Sequence, residues 1–306
     1  MIIVLGLSPA VDITYGVSQL IPGNTNRVTS IAKKAGGKSI NLARVARTLG
    51  GAPHLVIPLG GETGRWISSE LRRQGLDFDE IVIAQETRQS ITVFDGEATV
   101  FNEPASSLGE HDLAGIETSL IAAFDKLTPA NPSVFAISGS VPDSVPASYL
   151  PSLIGQAEKR GVRSFVDVSG PHLLLAAAAR PFLLKPNLDE LMEALPSSSM
   201  ENSVRKLQDL GARNVLVTDG PNGLTWFDEN GTKTQAKSIA GVRGNPTGAG
   251  DALLAALCVA FESGKTINDA LLDGLASGAA AVLSAVAGEI DLQAFDKFRE
   301  TAILDK

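Results

Sequence analysis

The chain has 306 residues, 44% hydrophobic and 20% charged, with a formal net charge of −8. An acidic composition with no basic block and no aromatic-basic alternation argues against a nucleic-acid surface, and the longest apolar runs, 173–179 and 252–261, are too short to span a bilayer. The single cysteine, Cys258, rules out a disulfide framework within the chain, and His54, His111 and His172 match no zinc spacing.

Residues 2–7 open the chain as a continuous apolar run, the pattern of a strand buried on both faces. No basic segment and no cleavage-like site precede it, so the expected location is cytoplasmic. Asp12 lies just beyond that strand, after 8–11 (SPAV), and the carboxyl ends of strands in an open α/β sheet line the binding crevice. Residues 12–31 alternate polar and apolar. The Gly-rich turn 35–41 (AGGKSIN) then leads into a helix over 41–49. It is not a Walker loop, because the upstream glycine that motif needs is Ala32 and the preceding segment is polar. Gly36 and Gly37 still allow close backbone approach to a ligand, and Lys38 offers a cation.

A strand over 54–59 and a helix over 64–73 come next. Arg88 then precedes two alternating runs joined by Asp95-Gly96, a strong hairpin signal. Together with residues 12–31 this hairpin reads as a small antiparallel sheet forming a lid. Helices are expected over 112–127 and 147–160, and strands over 133–138, 163–168, 182–184 and 214–218. The alternation predicts an α/β fold with a parallel sheet covered on both faces.

Lys185-Pro186-Asn187-Leu188-Asp189-Glu190 has two readings. Its three acceptor side chains suit a hydrated Mg²⁺, and Asn187 equally suits the N-cap of a helix over 189–195. Residues 218–223 (TDGPNG) form a turn whose amides could cradle phosphates. The last third is helical over 251–262, 267–287 and 291–300.

Gly248-Ala249-Gly250-Asp251, emptying into an apolar helix, is the most informative stretch. The first turn of a helix has free N–H groups and the positive end of the dipole, which favour an anion. A carboxylate there repels the anion but is well placed to take a proton from a hydroxyl attacking it. That combination points to phosphoryl transfer. The plain alternative is an Asp that the helix dipole favours anyway.

The ordered set 8–12 (SPAVD), 36–41 (GGKSIN), Thr87-Arg88, Ser138-Gly139-Ser140 with Pro142, Lys185-Pro186-Asn187 with Glu190, Thr218-x-Gly220 and 248–251 (GAGD) resembles the PfkB (ribokinase-like) carbohydrate kinases over nearly the whole chain. The resemblance is to the branch of 1-phosphofructokinase, tagatose-6-phosphate kinase and the minor 6-phosphofructokinase, and 101–104 (FNEP) adds to it. It implies a ribokinase-like three-layer α/β/α sandwich with a mostly parallel central sheet. One kinase domain would span 1–306, with a β-sheet lid contributed by about 12–32 and 88–104.

Carried over residue by residue, Asp251 would be the base, and Gly248, Ala249 and Gly250 the anion hole. Asp12, Gly37 and Asn41 would hold sugar hydroxyls, and Lys38, Arg88, Arg27 and Ser138 the phosphate already on the sugar. Lys185, Asn187, Thr218, Gly220 and Gly223 would line the nucleotide site, with Glu190 and Asn187 placing Mg²⁺ through water.

The implied activity is an ATP- and Mg²⁺-dependent kinase acting on a ketohexose phosphate: fructose 1-phosphate or tagatose 6-phosphate, then fructose 6-phosphate. A homodimer through the lid is also implied. The two cations, Lys38 and Arg88, favour a phosphorylated substrate over the alternatives, which are a same-fold kinase for a free sugar or nucleoside and a non-catalytic sugar-phosphate sensor. Ser8, Ser39, Ala105, Asp219 and the lead-in Asn245-Pro246-Thr247 depart from the usual pattern.

Overall fold

The computed structural model describes residues 1–127, 132–284 and 286–305. In chain order the elements are β1 (Ile2–Leu5), β2 (Ala10–Gly16), β3 (Ser30–Gly36), α1 (Lys38–Thr48), β4 (Pro53–Gly60), α2 (Gly61–Arg73), β5 (Asp77–Ile83), β6 (Gln89–Phe94), β7 (Ala98–Asn102), α3 (Glu110–Asp125), β8 (Val134–Ser138), α4 (Tyr149–Lys159), β9 (Arg163–Asp167), α5 (Pro171–Ala178), β10 (Leu183–Leu184), α6 (Leu188–Ala194), α7 (Met200–Leu210), β11 (Asn214–Thr218), β12 (Leu224–Phe227), β13 (Lys233–Ala236), α8 (Ala249–Glu262), α9 (Ile267–Val282) and α10 (Leu292–Thr301).

Among the described residues the large sheet has nine strands in the order β13-β12-β11-β10-β9-β8-β1-β4-β5, parallel from β11 to β5 with β12 and β13 antiparallel at one edge. The pleat sends alternate residues to opposite faces. Ile2 and Val4 join a core with residues of α1, α2, α8 and α9. Ile3 and Leu5 join a second core with residues of α3, α4, α5, α6 and α7. This is the expected three-layer sandwich. It also explains the unbroken apolar run of β1, which lies between β8 and β4 with both faces covered. β1 is flanked by β4 on one side and β8 on the other, with the later strands β9 to β13 continuing beyond β8, so a crevice opens at its carboxyl end.

A separate four-stranded sheet, β3-β2-β6-β7, rises from that end. It is mixed rather than antiparallel throughout. β6 enters after β5 of the large sheet and so runs parallel to β2, while β2–β3 and β6–β7 are antiparallel. Every residue of β7 is exposed.

The helix expected over 267–287 stops at Val282, and residue 285 lies outside the described residues. The Val282 carbonyl accepts the Asn245 N–H at 2.9 Å, and Gly244 packs against the same oxygen, where a Cβ would approach to 2.0 Å. The loop leading into 248–251 therefore uses the acceptor that would have continued the helix. Five elements escaped the sequence reading: β5, β12, β13, α5 and α7. β5 hides behind the acids Asp77, Asp79 and Glu80 because it is an edge strand. The Leu-Leu-Leu-Ala-Ala-Ala run of α5 has no period to detect.

Candidate active site

Asp251 is the third residue of α8 and is only 5% exposed. Gly248 caps the helix in the left-handed region (φ 83°), and a Cβ there would sit 3.0 Å from the Ala287 Cβ, so conformation and space both require glycine. The Ala249 N–H is turned to the Pro246 carbonyl at 3.1 Å. Among the described residues no hydrogen bond engages the amides of Gly248, Gly250 and Asp251, and these are the donors left for an anion.

The Asp251 carboxylate accepts from Asn41 Nδ2 at 3.0 Å. Burial, then the nearby Asp167, push its pKa up to about 6, against the Asn41 hydrogen bond, Lys38 and Lys185. A carboxylate that is part protonated near pH 6 and ionised above it suits a general base at neutral pH.

Asp251 lies at the boundary between two groups of residues. On one side is a cleft of about 800 Å³, walled by Lys38, Asp167, Lys185, Asn187, Glu190, Thr218, Gly220, Gly223 and the 248–251 turn. Asp167, at the end of β9 and 1% exposed, was not singled out in the sequence, although its place at a strand's carboxyl end could have flagged it. Lys185 Nζ lies 3.0 Å from Asp167 Oδ2, and Lys38 Nζ lies 3.4 Å from its Oδ1. Burial raises the Asp167 pKa, but Lys185 and then Lys38 outweigh it, so the carboxyl stays below its ordinary value. Lys38 is held firmly protonated, chiefly by Asp167, with Glu190 (3.8 Å) and Asp251 adding to it and burial opposing. A Cβ on Gly250 would touch Lys185 Nζ at 3.5 Å, so this amine stands over the free amides.

Asn187 caps α6. Its Oδ1 accepts from Glu190 N at 2.8 Å, and Glu190 Oε2 accepts from Asn187 N at 2.9 Å. This capping box satisfies two otherwise orphaned amides and leaves Glu190 Oε1 directed to Lys38. Gly223 (φ 102°) runs against β13, where a Cβ would overlap the Ala236 oxygen. Asp219 is held by Asn222 Nδ2 at 3.0 Å.

On the other side, Asp12 of β2 faces the Gly37 amide, and Gly36 passes so close that a Cβ would overlap the Asp12 carboxylate. Burial raises the Asp12 pKa, while Arg88, the Gly37 amide, Arg44 and Lys34 oppose this. Arg88 Nη1 donates to the Glu103 carbonyl at 3.1 Å, but its Nε is buried without a partner among the described residues. Among the described residues the buried hydroxyls of Ser8 and Ser138, beyond or at the carboxyl ends of β1 and β8, also lack partners. These three are among six buried polar side-chain atoms that have no hydrogen-bond partner among the described residues, and a bound ligand or water would satisfy them. Lys38 and Arg88 have different nearest partners: Asp167 and Glu190 for the first, Asp12 and Glu103 for the second. Arg27 stands exposed in the connection between β2 and β3, with no hydrogen bond or ion pair to this group. Ser39, a departure from the usual glycine, fills the space above Gly6 and is buried.

Residues 1–293 match the pfkB family of carbohydrate kinases. The chain belongs to this family. It is 28% identical over 289 residues to 1-phosphofructokinase of Bacillus subtilis (strain 168), covering 93% of each chain. To the ATP-dependent 6-phosphofructokinase isozyme 2 of Escherichia coli (strain K12) it is 29% identical over 291 residues, covering 92% of each. A crystal structure of phosphofructokinase-2 from Escherichia coli in complex with fructose-6-phosphate superposes with a TM-score of 0.86 at 28% identity over 98% of both chains. The pfkB kinase is a phosphotransferase with an alcohol acceptor, and kinases of this family use ATP. Among the described residues no helix is long and apolar enough to cross a membrane.

Proposed function

We propose that this pfkB kinase transfers the γ-phosphoryl group of ATP to a hydroxyl of a ketohexose phosphate, giving a bisphosphate. Fructose 1-phosphate and tagatose 6-phosphate are the leading acceptors, followed by fructose 6-phosphate. The observation that carries this reading is the buried Asp251 carboxylate, tied by Asn41 to the side that holds Asp12 and Arg88 and opening onto the cleft that holds Lys38, Lys185 and Glu190.

The residues divide the work as follows. Asp12, oriented by the Gly37 amide, and Asn41 hold sugar hydroxyls, and so fix which one faces Asp251. Arg88 and Ser138, with their unpaired atoms, take the phosphate already on the sugar, and Lys38 reaches toward it from the cleft side. Asp251 accepts the proton of the attacking hydroxyl. The Gly250 and Asp251 amides and the Gly248 turn, backed by Lys185, hold the charge that develops on the transferred group. Thr218, Gly220 and Gly223 line the nucleotide's path.

A divalent cation would neutralise phosphate charge. Glu190 Oε1, which the capping box leaves unused and which faces Lys38 at 3.8 Å, is the carboxylate oxygen that would hold its water shell, beside Asn187. Among the described residues no cluster of three or more His, Cys, Asp and Glu is placed to hold a metal unaided, which fits a hydrated Mg²⁺ shared with substrate phosphates. The small sheet acts as the lid, excluding water when it closes, and closure brings Arg27 to the sugar phosphate. Its exposed apolar residues Ile31, Phe94, Val100 and Phe101 pair it with a second copy of the chain.

The test is bisphosphate formation with ATP and Mg²⁺ across fructose 1-phosphate, fructose 6-phosphate and tagatose 6-phosphate, with free fructose and ribose as controls. Turnover confined to the free sugars would reject the reading.

A further inference from the structure

Asn41 is gripped from two sides. Its Nδ2 donates to Asp251 Oδ2 at 3.0 Å, and its Oδ1 accepts from Arg44 Nη1 at 3.4 Å. A carboxylate can only accept and a guanidinium can only donate, so the amide has one satisfactory orientation. Arg44 is itself anchored: Nη2 donates to the Ala35 carbonyl at 2.6 Å and Nε to Gln74 Oε1 at 3.0 Å. Gly288 closes over the pair, where a Cβ would come within 2.5 Å of Asn41 Oδ1 and 2.6 Å of Arg44 Nη1. The next residue, Glu289, is ion-paired to Lys34 of β3. No step assigned above uses Arg44.

We propose that Arg44 is a positioning residue for phosphoryl transfer: it locks the Asn41 amide so that its NH₂, not its carbonyl, faces Asp251. The proposal rests on Asp251 being the base. The locked donor occupies Oδ2, leaves Oδ1 to receive the proton of the acceptor hydroxyl, and favours the ionised carboxylate. A flipped Asn41 would set a carbonyl oxygen against that carboxylate and hold it protonated to higher pH. The other charged groups facing Asp251 are Lys38 of α1, Asp167 of β9 and Lys185 after β10. Those facing Arg44 are Glu289, Asp12 of β2, Glu70 of α2 and Lys34 of β3.

The donor-only character of Arg44 makes the test. Arg44→Gln supplies an amide that can donate or accept, so the lock is lost, whereas Arg44→Lys remains donor-only. In pH profiles of kcat, Arg44→Gln moves the acidic limb upward by about one pH unit, with KM for ATP unchanged. Arg44→Lys stays near the parent profile. In an Asn41→Ala background, Arg44→Gln produces no additional shift. Arg44→Met, which keeps the stem's packing and cannot donate, serves if Arg44→Gln does not fold, with the same expected shift. An unmoved limb with a uniform loss of kcat would overturn the proposal, as would an equal shift in the Asn41→Ala background or in Arg44→Lys. An Asp251→Asn variant that still turns over would instead overturn the base reading beneath it, a result distinct from an unmoved limb.

Discussion

Asp251→Asn should make the protein more stable and catalytically inert, and the gain in stability should depend on pH. The Asp251 carboxyl titrates near 6 in the folded chain, against an ordinary value of 3.8. As the pH rises, the unfolded chain releases this proton first. Stability therefore falls through the window between those values and stays low above it. A displacement of about two pH units corresponds to about 3 kcal/mol at pH 8 and to roughly half that at pH 5, where the folded carboxyl is still protonated. The group is almost fully buried, so solvent screening removes little of this. An amide in its place carries no such cost. Urea unfolding of the parent and of Asp251→Asn at pH 8 and pH 5, with equal m-values, measures the difference. The variant should be the more stable at both pH values, with the larger margin at pH 8. A variant no more stable than the parent at pH 8, or a margin that does not change with pH, would refute the buried, charge-crowded environment assigned to this residue.

Other consequences follow from the same geometry. In the parent enzyme kcat should fall on the acidic side with a midpoint near pH 6, because only the ionised Asp251 accepts a proton; a midpoint near 4 would place the base elsewhere. Gly248→Ala should cost about 1–2 kcal/mol from the left-handed backbone alone and lower kcat more than tenfold; thermal unfolding and steady-state kinetics check both. Arg88→Ala should raise KM for the sugar phosphate roughly 10- to 100-fold, the worth of a charge-assisted hydrogen bond, and leave KM for ATP unchanged. Lys185→Met should cost about 3–5 kcal/mol, because it strips the buried Asp167 of its closest cation; a loss below about 1 kcal/mol in urea unfolding would show that Lys38 alone sustains that carboxylate.

Much of the frame was legible because local chemistry and global position agreed. The apolar run of β1 needed two covered faces and has them. Gly248 and Gly37 sit at positive φ, where their glycine identity had signalled turns. Asn187 and Glu190 satisfied the capping reading outright: the capping box uses the Asn187 oxygen and one oxygen of Glu190, and leaves the other facing Lys38. Residues whose role depends on distant partners were not legible. Asp167 ends an ordinary strand, and nothing nearby in sequence says that Lys38 and Lys185 will meet there. Arg44 lies one helical turn beyond Asn41 and reads as a surface residue until Ala35, Gln74 and Gly288 enclose it. The strands β12 and β13 are short, and Lys233, Thr234 and Gln235 of the edge strand β13 carry no apolar period.

The most direct test of the account is the steady-state kinetics of Asp251→Asn with ATP and the best ketohexose phosphate, following bisphosphate by ³¹P NMR. The account predicts a fall in kcat of several orders of magnitude, with both KM values within a few-fold of the parent. Turnover near the parent rate would contradict it.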